Sequence, residues 1–230
     1  MAVLKIAYPF MISRGIGDLL LFGSQALSAY MSSSLRSKDL DLVSSQMGPG
    51  HLDALEQHLA QTGLETRSST VQSRPLPKGR MITYSVELRL EGKPFFIEIF
   101  DKVLDGQNPS VLTPYAQHVH KWDLDLWTPS PNATVALRLC FRPPEGISPL
   151  NARRLNNFIQ QNRRKIDFQE IKKIIDEWGM EETVKANLGA LYNNHRTGLS
   201  ELSESELEKL GARIFPGRKV ARLASEGRGR

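Results

Sequence analysis

The clearest alternation of apolar and polar positions is "DLDLV" at Asp39–Val43. It predicts a strand with Leu40 and Leu42 on one face and Asp39 and Asp41 on the other. A second alternating run, "MITYSVELRL", is joined by "EGK" to "PFFIEIF", and the pair predicts a β-hairpin over residues 81–100. Between them, "HLDALEQHLAQTG" sets Leu52, Leu55 and Leu59 on one helical face and stops at Gly63. Upstream, the pattern predicts a short strand or buried turn at Leu19–Phe22, a Gly-Ser turn, and a helix from Gln25 to Met31. "SRPLPKGR" predicts a polar loop over residues 73–80.

After "LDGQNPSVLTP" the strand signal fades, and "LWTPSPNA" marks a boundary near residue 128. The text beyond is helical: "NATVALRLCF", "SPLNARRLNNFIQQ", "DFQEIKKIIDEWG" and "EETVKANLGALY". In "SESELEKLG", Ser203 and Glu206 have the spacing of a capping box. The small, basic ending "GRKVARLASEGRGR" predicts a flexible tail. Strands followed by helices predict an α+β chain. Its expected parts are a first domain at 1–127, a helical domain at 128–215 and a basic flexible tail at 216–230.

Composition narrows the class. The chain has 230 residues, 40% hydrophobic and 24% charged, as in an ordinary globular protein. No apolar run approaches the roughly 18 residues of a membrane-spanning helix. "VLKIAYPFMI" lacks the basic start and small-residue cleavage site of a signal peptide. The single cysteine, Cys140, excludes an intrachain disulfide and a cysteine-rich zinc site, and its apolar setting predicts a buried thiol. A cytoplasmic location follows as the expectation, and the Asn132-Ala133-Thr134 sequon has no secretory context. Residues 1–127 carry a net charge of −1 and residues 128–230 a net of +6. The basic second part is suited to an anionic partner such as RNA, or to a solvated surface. Arg153, Arg154, Arg163, Arg164 and Lys165 are the candidates for tracking a phosphate backbone.

The candidate chemistry gathers around the first Asp-Leu-Asp. Carboxylates on alternate residues of a strand share a face and can hold a hard cation. Gly23-Ser24 lies at a strand-to-helix turn fifteen residues earlier, where a glycine allows close backbone approach and free amides favour a phosphate. Downstream, "FFIEIF" offers Glu98 as a third acid.

This order resembles the signature of the nucleotidyltransferase superfamily. "LFGSQALSAYMSSSLRSKDLDLV" has its apolar residue, its Gly-[Gly/Ser], a helix, and then Asp-x-[Asp/Glu] on a strand. The "RSKDLDLV" form looks most like bacterial and archaeal stand-alone nucleotidyltransferases, among them the AbiEii-type toxins of toxin–antitoxin pairs. The resemblance covers about residues 16–101 and is faint from 128 onward. It implies a nucleotidyltransferase-fold mixed sheet with flanking helices, followed by a C-terminal helical domain. Gly23 and Ser24 would hold the terminal phosphates of a nucleoside triphosphate. Asp39 and Asp41 would be the metal pair, completed by Glu98 or, one turn of chain later, Asp101. Arg36 and Lys38 would contact phosphates or belong to a solvated loop. The implied activity is Mg2+- or Mn2+-dependent transfer of a nucleoside monophosphate to a hydroxyl of tRNA, protein or a small molecule. The alternative is a module of the same fold that binds a nucleotide or a partner protein without catalysis.

Two further patterns read as bland. "WDLDLW" at residues 122–127 repeats Asp-Leu-Asp without a preceding Gly-Ser turn, which predicts packing by its apolar residues and a polar edge for its acids. His118 and His120 form a His-x-His for which no acidic partner is visible in the sequence, so an ordinary polar segment is expected.

Overall fold

The computed structural model describes residues 2–32, 35, 37–141, 148–196 and 203–226. The chain divides into two compact units, Met1–Ser130 and Pro131–Arg230. The first unit opens with α1 (Ala2–Ser13), β1 (Leu20–Leu21), α2 (Gly23–Ala29), β2 (Asp39–Val43) and α3 (Pro49–Gln61). β3 (Glu65–Leu76), β4 (Gly79–Leu90) and β5 (Lys93–Phe100) follow. A 3₁₀ turn at Pro109–Tyr115 then leads into β6 (Ala116–Lys121) and β7 (Leu124–Pro129). β1–β5 make one mixed sheet in the order β1-β2-β5-β4-β3, with β2 and β5 parallel and the other neighbours antiparallel.

Strand alternation decides which side of the sheet is dry. Leu40, Leu42, Ile97, Ile99, Val86 and Leu88 are at most 2% exposed. They join one core with Leu52, Leu55 and Leu59 of α3 and Val3, Leu4, Ala7 and Met11 of α1. The residues between them on β2 and β5 therefore face the other side, and that face carries Asp39, Asp41 and Glu98.

α1 went unread in the sequence because Pro9 stands inside it, while its buried positions 3, 4, 7, 8 and 11 keep helical spacing. Tyr8 anchors this helix. Its hydroxyl donates to the Leu19 carbonyl at 3.1 Å and accepts the Trp127 amide at 3.0 Å. Burial pushes the phenol pKa up.

Two segments depart from the sequence expectation. The polar loop expected over 73–80 is instead the end of β3, a tight turn and the start of β4, with Gly79 at φ 121°. β3 is an edge strand exposed along most of its length, so it never needed an apolar alternation, and Pro75 is tolerated there. The fading strand signal after residue 114 hid the β6–β7 hairpin. Its two-residue turn is Trp122-Asp123, both left-handed at φ 56° and 59°, where glycine or asparagine is the usual cue.

The second unit contains α4 (Pro131–Cys140), α5 (Pro149–Gln161), α6 (Phe168–Glu177), α7 (Glu181–Arg196), α8 (Glu204–Ile214) and α9 (Val220–Glu226). The Asn187 side chain donates to the Leu139 and Phe141 carbonyls at 2.7 and 2.9 Å, closing the end of α4. Cys140 is a buried thiol, 1% exposed. The capping box of α8 is present at Ser203 and Glu206.

The expected flexible tail is corrected in part, because α9 lies within it. Val220, Leu223 and Ala224 are buried, and Glu208 accepts the backbone amides of Val220 and Ala221 at 3.0 and 3.1 Å. Gly189 and Gly211 leave the space this needs: a Cβ at Gly189 would stand 2.9 Å from the Ala224 Cα, and one at Gly211 would enter the Val220 side chain. Among the described residues, no helix is long and apolar enough to cross a membrane.

Tyr8→Phe keeps the ring but strands a part-buried amide and a buried carbonyl. It should destabilise the protein by about 1–3 kcal/mol in chemical denaturation, with the fold retained by circular dichroism.

Candidate active site

Two elements deliver the acids. β2 carries Asp39 and Asp41 at alternate positions, and its parallel register with β5 sets Asp41 beside Glu98. The result is a cluster in which one carboxylate oxygen from each of Asp39, Asp41 and Glu98 lies within 4.8 Å of the other two. All three residues are half-buried. Burial first, and then the charge of Asp39, push the Glu98 carboxyl above its ordinary range; the Arg74 guanidinium on β3 opposes the shift. An all-oxygen donor set with crowded negative charge suits a hard divalent cation such as Mg2+ or Mn2+.

The turn before α2 is fitted to this cluster. Phe22 donates its amide to the Asp41 carbonyl at 2.9 Å, which fixes the end of β1 against β2. Gly23 follows at φ 62°, and a Cβ built there would fall inside the Asp41 carboxylate. Glycine is thus required twice, by conformation and by space. Phe22 and Phe100 meet edge to face, centroids 6.4 Å apart, beside this turn.

Ser24 is 4% exposed, and its hydroxyl donates to Ser37 at 2.9 Å. Ser37 in turn donates to Asp39 Oδ1. This chain of hydroxyls links the Gly-Ser turn to the acid cluster. Ser28 steadies the same loop, accepting the Leu35 amide at 2.9 Å. Ser37 and Arg74 were missed in the sequence. Ser37 lies in the serine-rich "SSSLRSKD", where nothing distinguishes one hydroxyl from the next. Arg74 fell in the stretch taken for a loop.

The structure brings together Gly23, Ser24, Asp39, Asp41 and Glu98. Between the two candidates for the third acid, Glu98 joins the cluster. Asp101 instead accepts the Ile82 amide at 2.6 Å and secures the start of β4. Lys38 is exposed, and its carbonyl accepts the Phe96 amide at 3.0 Å in the β2–β5 ladder. Arg36 lies outside the described residues.

The second Asp-Leu-Asp behaves differently. Asp123 stands in the β6–β7 turn and pairs with Lys5 at 2.7 Å. Asp125 faces His120 across the hairpin at 3.0 Å. An acidic partner for the His-x-His therefore exists, contrary to the sequence expectation.

No family model matches the chain, and a search of curated proteins finds no match in sequence. Solved structures do resemble it. The antibiotic-resistance factor ANT(2'')-Ia has a TM-score of 0.51 at 11% identity, over 85% of this chain and 96% of that one. JHP933 from Helicobacter pylori has a TM-score of 0.50 at 10% identity, over 99% and 94%. An antigenic nucleotidyltransferase-like protein from Paracoccidioides brasiliensis has a TM-score of 0.44 at 10% identity, over 89% and 95%. The chain has the nucleotidyltransferase fold.

Gly23→Ala should displace Asp41 and abolish divalent-cation binding, measured by calorimetry. The raised Glu98 pKa also predicts a slope in stability. In the metal-free protein the folded state holds the Glu98 proton to higher pH than the unfolded chain does. Stability should therefore fall as pH rises from the ordinary glutamate range through the raised value. Glu98→Gln should remove that slope in denaturation midpoints measured across pH.

Proposed function

We propose that the protein is a metal-dependent nucleotidyltransferase that moves a nucleoside monophosphate from a nucleoside triphosphate to an acceptor hydroxyl. The observation that carries this reading is the junction of two features on adjacent elements. A glycine turn is fitted against Asp41, and the carboxylates of Asp39, Asp41 and Glu98 converge within 4.8 Å. The nucleotidyltransferase fold supports it.

In this reading Asp39, Asp41 and Glu98 hold the cation, Mg2+ or Mn2+. When bound, such an ion neutralises charge on the nucleotide phosphates and acidifies the acceptor hydroxyl. The turn at Gly23 and Ser24 receives the terminal phosphates, with Lys38 as an exposed cation nearby in sequence. The Ser24–Ser37–Asp39 chain keeps the turn and the first acid in fixed relation, a positioning effect of the kind that dominates phosphoryl-type transfer. Glu98 or Asp41 is placed to accept the acceptor's proton.

The net charge of +6 beyond residue 127 favours a polyanionic acceptor, and we place RNA first. A small-molecule acceptor is the second reading, supported by the likeness to an antibiotic-resistance factor. The non-catalytic alternative, a nucleotide- or partner-binding module, stays distinct by experiment.

Calorimetric titration with ATP, CTP, GTP and UTP, with and without Mg2+, should reveal metal-dependent binding that Asp39→Ala/Asp41→Ala abolishes. Transfer of radiolabel from the bound nucleotide to a tRNA pool should fall about a hundredfold or more in the same variant. Nucleotide binding and biological effect both intact in Asp41→Asn would defeat the enzymatic reading. Failure of every nucleotide to bind would leave a partner-binding module.

A further inference from the structure

The order of the sheet sets where an acceptor can stand. β1, with the Gly23–Ser24 turn after it, lies on one side of β2, and β5, β4 and β3 lie on the other. Nucleotidyl transfer brings the attacking and leaving oxygens roughly in line across the phosphorus. With the terminal phosphates at Gly23 and Ser24, the acceptor oxygen therefore comes in over β5 and β4. Alternation gives the residues it meets on the acid-bearing face. The register runs from Asp41 to Glu98, Ser85 and Thr70, and two residues further along from Phe100 to Thr83 and Gln72. The next position of β3 on that face is Arg74, opposite Met81. Its side chain lies in over β4: Nη2 donates to the Met81 sulfur at 3.9 Å, and its charge acts on Glu98 to lower that pKa. Ser85 and Thr83, which stand between, are short. An arginine that only guarded the edge strand would send its charge to solvent. Among the described residues the Arg74 guanidinium pairs with no carboxylate, so its remaining N–H groups are available.

We propose that Arg74 binds a phosphate of the acceptor, the phosphodiester next to the attacked hydroxyl at the 3′ end of an RNA strand. This rests on the transferase reading and adds to it an acceptor subsite within the first unit. A guanidinium presents a planar fork of donors that matches two phosphate oxygens. An RNA 3′ end carries such a phosphate one nucleoside away from its terminal hydroxyl. The reach is suitable, because β3 and β5 are two strand spacings apart, about 10 Å. A divalent cation at the acid cluster satisfies Glu98 and leaves the guanidinium to the phosphate. A role on the triphosphate is disfavoured by position, since the Gly23 turn lies across β2 from β3. A polycationic acceptor would meet like charge at the same place.

The test uses the full-length protein in Mg2+ and two acceptor probes: the dinucleoside monophosphate ApA, and adenosine, which lacks its phosphate. Transfer of label from the nucleoside triphosphate is followed to each. The wild type should favour ApA in kcat/KM by about tenfold or more. Arg74→Ala should bring that ratio close to one, and Arg74→Lys should restore part of it. The ratio cancels any effect of the lost charge on Glu98, which both probes share. The loss should fall on the KM of ApA and not on the calorimetric affinity for the nucleoside triphosphate. A preference for ApA retained in Arg74→Ala would overturn the inference. So would a loss of nucleotide affinity in that variant with the KM of ApA unchanged, or a wild type that binds nucleotide and accepts neither probe. A wild type that binds no nucleotide at all would instead sink the transferase reading, and the inference with it.

Discussion

The parallel pairing of β2 with β5 is the interaction on which the first unit depends. Its register brings Asp41 beside Glu98 on one face and Leu40, Leu42, Ile97 and Ile99 together on the other. Carboxylates about this close repel by a few kcal/mol at an effective dielectric of about 20. Each fully buried Leu or Ile on the opposite face contributes about 1.5–3 kcal/mol. The apolar face is therefore strong enough to hold the acids in a proximity they would not choose. Because side chains alternate, a slip of one residue would expose the leucines and bury the acids at once. The core thus determines the geometry of the cluster, and a bound cation would relieve the repulsion that remains.

The Gly-Ser turn is the second constraint, and it is spatial. β1 is only two residues long and could not fix a turn by its own ladder. It is fixed instead by the Phe22–Asp41 backbone bond and by Gly23 lying flat against the Asp41 side chain. The hydroxyl chain through Ser37 extends the same attachment to Asp39. The glycine turn and the acid cluster are then tied to one corner, the kind of preorganisation that the proposed nucleotidyl transfer calls for.

Much of this was legible because it rests on local pattern. Alternation in "DLDLV" follows from one dry and one wet face, so the shared face of Asp39 and Asp41 could be read directly. The third acid could not be settled that way. Glu98 and Asp101 differ by where β5 ends, and Asp101 is diverted by the Ile82 backbone amide of the neighbouring strand, 19 residues away in sequence. Edge strand β3 was read partly as loop because it is exposed along most of its length and no periodicity is imposed. α9 was read as tail because its docking depends on the absence of side chains at Gly189 and Gly211, residues distant in sequence.

The two Asp-Leu-Asp copies show why composition alone does not assign chemistry. In both, the second leucine is fully buried and the acids point away from it, so the local code is the same. β2 lies inside a five-stranded sheet and has β5 at its side, whose alternate position is Glu98; oxygen then meets oxygen. β7 lies in a two-stranded hairpin with β6, whose facing positions are His118 and His120; oxygen then meets nitrogen. The first neighbour completes a half-buried cluster of three carboxylates, and the second sets an exposed carboxylate against two imidazoles. Identical tetrapeptides diverge because the strand beside each supplies the facing side chains, and that strand is chosen by topology.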